Sequence, residues 1–146
     1  MHGAGVIEAI DRREVLGEEQ TYYIMKLPLG EMKVMVPLAL VEEIALRYVI
    51  QDKEVGQVLD ILKGSPSAMP DNWNERYRAN MDKIRKGEAL EIAEVVRNLT
   101  ARDRQKRLSG GEKRILDAAR QLLVGELVLA GGANEQHMAA FLSCIL

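Results

Sequence analysis

One cysteine, one tryptophan, one phenylalanine and two histidines are all that 146 residues contain of those types. Cys144 has no partner for an internal disulfide, and its apolar setting from Met138 to Leu146 points to packing rather than to a reactive thiol. His2 and His137 lie far apart with no cysteine at ligand spacing, which argues against a zinc site. No run approaches the roughly 18 uninterrupted apolar residues of a membrane span, and no basic-then-apolar leader opens the chain. A chain without membrane contact, resident in the cytoplasm, is expected. No Gly-x-x-x-x-Gly-Lys-Ser/Thr loop is present, and His2-Gly3-Ala4-Gly5 lacks the third glycine and the following helix of a dinucleotide site. Leu108-Ser109-Gly110-Gly111-Glu112 matches the letters of an ABC-ATPase signature, but a helix-capping Ser/Glu pair explains it without a nucleotide. No nucleophile, base and orienting group come together, so the chain does not read as an enzyme, and no cofactor or small-molecule substrate is indicated.

What is present is ordinary for a globular chain, with 47% hydrophobic and 29% charged residues, enough for one good core or two small ones. The net charge of −2 conceals a division. Residues 1–71 carry 7 Lys/Arg against 12 Asp/Glu, residues 72–120 carry 13 against 8, and residues 121–146 add two acids and no base. The +5 of the middle segment attracts phosphate locally, because a Debye length of about 8 Å screens the acidic remainder. A solvated helix surface is the plainer reading of the same charges.

The hydrophobic period is two over Gly5–Ile10, Thr21–Leu27 and Glu31–Val36, with a further short strand expected at Leu46–Ile50. Turns fall at Gly17 and Leu29-Gly30, and Pro37, which cannot donate to a ladder, ends the third strand. From about residue 52 the period becomes helical: a helix to Leu62, a Gly/Ser/Pro loop at 64–70, a helix capped by Asp71 or Asn72 that stops at Gly87, one over roughly 88–107, one from Ser109 to Ala130, and a last one from Asn134. The fold class is α+β, with a small antiparallel β module at residues 1–50 and an all-helical module at 51–146.

Trp73 stands in Asn72-Trp73-Asn74-Glu75-Arg76-Tyr77-Arg78-Ala79-Asn80. An apolar ring among arginines and amides suits a side chain that wedges into nucleic acid while its neighbours hold phosphates. The spacing of Trp73, Tyr77, Met81 and Ile84 equally describes a buried helical stripe, and on residue type alone that reading is favoured.

Met1 through Ile10, Tyr23 through Pro37, Asn72 through Asn80, Val95-Val96-Arg97-Asn98-Leu99 and Leu108 through Arg114 together resemble the CarD family of bacterial transcription regulators, in order and over essentially the whole chain. The resemblance implies a Tudor-like N-terminal module that pairs a sheet edge with the RNA polymerase β subunit. It also implies a helical module on promoter DNA upstream of the minus-ten element, with Trp73 wedged into the minor groove to stabilise the open complex. Arg76 and Arg78, and then Arg97, Lys113 and Arg114, become the expected phosphate or sugar contacts, with weak sequence specificity. Lys33, Val34 and Met35, with Arg13, become the expected polymerase contacts, although many members carry arginine where Met35 stands. Members also carry a first strand ending in Tyr-Pro ahead of the His-Gly segment, which this sequence does not show: either the true start lies upstream of an internal methionine or the module is truncated, and for the truncated form an open sheet edge and weakened polymerase binding are expected. An interaction adaptor whose basic helices bind no DNA is the alternative.

Overall fold

The computed structural model describes residues 4–27, 32–40, 46–131, 140–144 and 146. Strand β1 (Val6–Val15) and strand β2 (Glu18–Lys26) form a hairpin, and β3 (Lys33–Pro37) pairs antiparallel with the other side of β2, giving the order β1-β2-β3. Leu16 and Gly17 make the hairpin turn with φ of 54° and 82°. Two successive left-handed residues match the right-handed twist of the flanking strands, and Gly17 accepts that conformation without strain. Glu8 sits at a bulge in β1, between Ile7 paired with Met25 and Ala9 paired with Ile24. Pro37 is the last residue of β3, as its missing N–H requires. The Leu29-Gly30 turn lies outside the described residues.

Alternation in β2 and β3 buries Met25 and Val36 on one face. The opposite face carries the exposed Arg13, Gln20, Lys26, Lys33 and Met35 together with the half-buried Tyr22 and Ile24. Both outer strands keep one unpaired edge among the described residues, and Val6, Ile7 and Ile10 on β1 are exposed.

The expected strand at Leu46–Ile50 does not form. Its backbone instead runs onto the helical core. Ile50 is buried there, and Arg47 donates to both carboxylate oxygens of Glu126, at 2.5 and 2.8 Å, and to the carbonyl of Gly87. Ile50 N–H also donates to Glu126, at 3.2 Å. Of the main-chain groups a ladder would have used, Ile50 N–H is thus taken by Glu126.

Helices α1 (Asp52–Lys63), α2 (Trp73–Lys86), α3 (Ala89–Gln105) and α4 (Gly110–Gly131) surround one core. Val58 and Leu62 come from α1, Ile84 from α2, Ile92, Val95, Val96 and Leu99 from α3, and Leu123 and Leu127 from α4. The i, i+3, i+4 spacing of aliphatic residues is what turns these faces inward. Residues 140–144 are also helical and add Leu142 to the core, but Cys144 is exposed, so the expected packing of its thiol is not found. No helix among the described residues is long and apolar enough to cross a membrane.

Candidate nucleic-acid and polymerase interfaces

Asn72 accepts the Glu75 backbone N–H at 3.2 Å, and Gly87 ends α2 at φ 73°, so Trp73 is the first residue of the helix. At about 100° per residue, Trp73, Tyr77, Asn80 and Ile84 lie along one stripe. Asn80 and Ile84 are buried, Tyr77 is half-buried against the core, and Trp73 at the solvent end is 42% exposed. The stripe is therefore core at its inner end and open at the tryptophan.

The indole has a defined seat. It stacks on Tyr77 with ring centroids 5.1 Å apart and planes 26° apart. Its Nε1–H donates to Ser109 Oγ at 2.9 Å, and the same oxygen accepts the Glu112 backbone N–H at 3.2 Å, capping α4. Gly111 lies against the ring, for a Cβ there would come within 3.3 Å of Trp73 Cζ2. Only half of the expected capping box forms, because the Glu112 carboxylate turns to Arg76 instead of to the Ser109 backbone.

Arg76 is a correction to the sequence reading. It is 3% exposed, its Nε donates to Glu112 Oε1 at 2.5 Å, and its Nη1 donates to the carbonyls of Pro70 and Asp71 at 3.2 and 3.0 Å. Three residues along α2 from Trp73, it faces α4 rather than solvent, and it offers no guanidinium edge to a phosphate. Arg97 is also engaged within the protein. Half-buried, it donates to Asn98 Oδ1, to the Ile61 carbonyl and to Ser67 Oγ, while buried Asn98 holds both the N–H and the hydroxyl of Ser67. Both arginines thus tie down the loop at 64–70 that leads into Trp73.

Arg78, Lys113 and Arg114 are exposed and form no ion pair among the described residues. Lys113 and Arg114 stand in the first turn of α4, directly after the Gly111 seat. Arg78 lies about 140° around α2 from Trp73, so it does not flank the ring. Ser109, Glu112, Asn80 and Asn98 were missed as organisers of this corner. The available signal was that Arg76 and Asn80, four apart, fall on the same stripe as the apolar residues.

On the sheet, Lys33, Val34 and Met35 follow one another along the open edge of β3. Lys33 and Met35 point to the exposed face, where Lys33 Nζ lies 3.5 Å from Glu8, and Val34 points to the other. Arg13 shares the exposed face but stands on β1, separated from β3 by β2, and pairs with Asp11 at 3.0 Å. The structure gathers three of the four residues and places the fourth at the opposite edge.

The chain that forms this open-edged sheet and helical core, with an exposed tryptophan at the start of α2, matches known families. Residues 1–50 match the CarD-like/TRCF RID domain, and residues 57–143 match the CarD C-terminal domain. The chain belongs to the CarD family, a family of transcription regulators. It is 37% identical over 141 residues to the Bacillus subtilis (strain 168) protein named "Putative transcription factor YdeB", covering 97% of this chain and 92% of that protein.

Proposed function

We propose that this protein is a non-enzymatic transcription regulator that bridges the RNA polymerase β subunit and promoter DNA. The unpaired edge of β3, around Lys33, Val34 and Met35, supports docking by strand addition, in which main-chain hydrogen bonds supply affinity. The single observation that carries the DNA side is Trp73, the sole tryptophan, 42% exposed at the junction of α2 and α4, with the exposed cations Lys113 and Arg114 following in the opening turns of α4. In this reading Trp73 enters the minor groove at the upstream edge of the bubble, near the minus-ten element, and holds the open complex. Unstacking a base step costs about a few kcal/mol, and the cost is least where the duplex is already opening. Arg78, Lys113 and Arg114 meet phosphate, so placement depends on polymerase rather than on base sequence.

The test is Trp73→Ala in a promoter-complex lifetime assay with polymerase. We expect a lifetime shortened about tenfold, equivalent to about 1.4 kcal/mol, with the circular dichroism of the free protein retained. An unchanged lifetime in a folded variant would support an adaptor that binds no DNA.

A further inference from the structure

The hydroxyl of Ser109 joins the cap of α4 to the ring of Trp73, and Glu112 of the same turn reaches the backbone just ahead of that ring through Arg76. Ring and backbone are therefore held from one place. We propose that Ser109 is the positioning residue for Trp73, with Gly111 as the floor of the seat, so that the ring meets DNA in a preset orientation with its only polar group already satisfied. This rests on the reading of Trp73 as the wedge.

An indole carries one donor and no acceptor. Were that donor free, it would either seek a base or phosphate acceptor on entering the groove or lose its water without replacement. Bound to Ser109 Oγ at 2.9 Å, it does neither, and the ring offers DNA only apolar surface. Trp73 then senses how easily a step unstacks and does not read base edges by hydrogen bonding. Fixing the ring before the encounter also raises apparent affinity by the inverse of the fraction of free protein that would otherwise hold the competent rotamer.

Ser109→Gly separates the seat from the cap, since glycine is close to serine as an N-cap but supplies no acceptor. Because Trp73 is the only tryptophan, its fluorescence reports the ring directly in the full chain. S109G should speed its local anisotropy decay and increase its quenching by acrylamide, and Ser109→Thr should restore both. Gly111→Ala, whose Cβ would stand 3.3 Å from the ring, should give the same signature with the Ser109 cap intact. With polymerase, S109G should shorten open-complex lifetime about three- to tenfold, the size of the rotamer population it releases. Added to Trp73→Phe, which already lacks the donor, it should shorten it no further. Unchanged Trp73 anisotropy and quenching in both S109G and G111A, or an equal loss of lifetime in parent and W73F backgrounds, would overturn the proposal. If W73A leaves the lifetime unaltered, the wedge reading fails, and the fluorescence of the free protein still decides the seat.

Discussion

Glu112→Gln removes one charge from a pair whose side chains are 3–4% exposed and leaves everything else in place. Glutamine keeps an acceptor for Arg76 Nε, so the substitution isolates the charge from the hydrogen bond. The remaining partners of the guanidinium are then two carbonyls, Pro70 and Asp71, which do not neutralise it. Two unit charges about 4 Å apart at an effective dielectric near 20 attract by about 4 kcal/mol, and stranding one member of a buried pair typically costs about 3–5 kcal/mol. Against a total stability of about 5–15 kcal/mol this is a large share. For a slope of about 2 kcal/mol per molar, the urea midpoint should fall by about 2 M. The unfolding of the full chain is followed by Trp73 fluorescence, which reports the α2–α4 corner, and by circular dichroism. Replacing both partners together, Arg76→Met with Glu112→Leu, should return most of the loss, because no charge is then left buried. A midpoint lowered by less than about 0.5 M in E112Q would show that the pair is not closed to water as described.

Three further outcomes follow from the same geometry. Arg78→Ala, Lys113→Ala and Arg114→Ala should each reduce the slope of log affinity against log salt for promoter duplex by about 0.9, one phosphate each, whereas Arg76→Met combined with Glu112→Leu should leave it unchanged. A slope reduced by that double replacement would place the Arg76 guanidinium on DNA after all. Arg47→Ala should destabilise the helical module by about 1–3 kcal/mol by leaving the buried Glu126 carboxylate with Ile50 N–H alone. The hydrogen bond to Glu126 is the chief cause holding the Arg47 pKa above its ordinary value. A raised folded-state pKa gives stability that is fully present below the unfolded value and lost only as pH rises through the folded one, so this contribution should be constant through the neutral range in paired urea titrations. Met35→Asp should weaken binding to polymerase about tenfold or more, about 1.4 kcal/mol, and leave the urea midpoint of the helical module where it was.

Asn72, Gly87 and Pro37 placed the ends of α2 and β3 correctly because each acts through its own backbone, by a side-chain cap, a positive φ and a missing N–H, while the period-two runs located three strands but stopped β1 five residues short at Ile10 and began β2 three residues late at Thr21. Leu46–Ile50 has the letters of a strand, yet its conformation is set by Glu126 and Gly87, forty and more residues away, and local propensity carries no trace of them. Arg76 and Arg97 were expected as DNA contacts from the CarD resemblance, Arg76 because it shares a motif with Trp73. Which way each faces depends on helix phase and on the partner helix. Trp73 was legible as an unusual residue but not as a seated one, since its acceptor, Ser109, comes from another helix 36 residues on.

The positive middle segment takes on a sharper meaning once its internal pairs are recognised. Arg76 with Glu112, Lys83 with Glu94 and Lys86 with Glu91 remove equal numbers of either sign, so the balance of +5 within residues 72–120 is unaltered. What changes is where it resides. Lys106, Arg107, Lys113 and Arg114 are all exposed, and all lie within a few residues of Ser109 and Gly111, against which the indole rests. Glu112 stands at the centre of that corner and would set a carboxylate beside the approaching phosphates were it not neutralised by Arg76. The buried pair thus has an electrostatic consequence besides its structural one: the Glu112 carboxylate is neutralised where it stands, next in sequence to Gly111 and Lys113. Arg76→Met with Glu112→Leu removes both charges of the pair and leaves no carboxylate unmasked, which is the reason for judging that double variant by stability and by salt slope together.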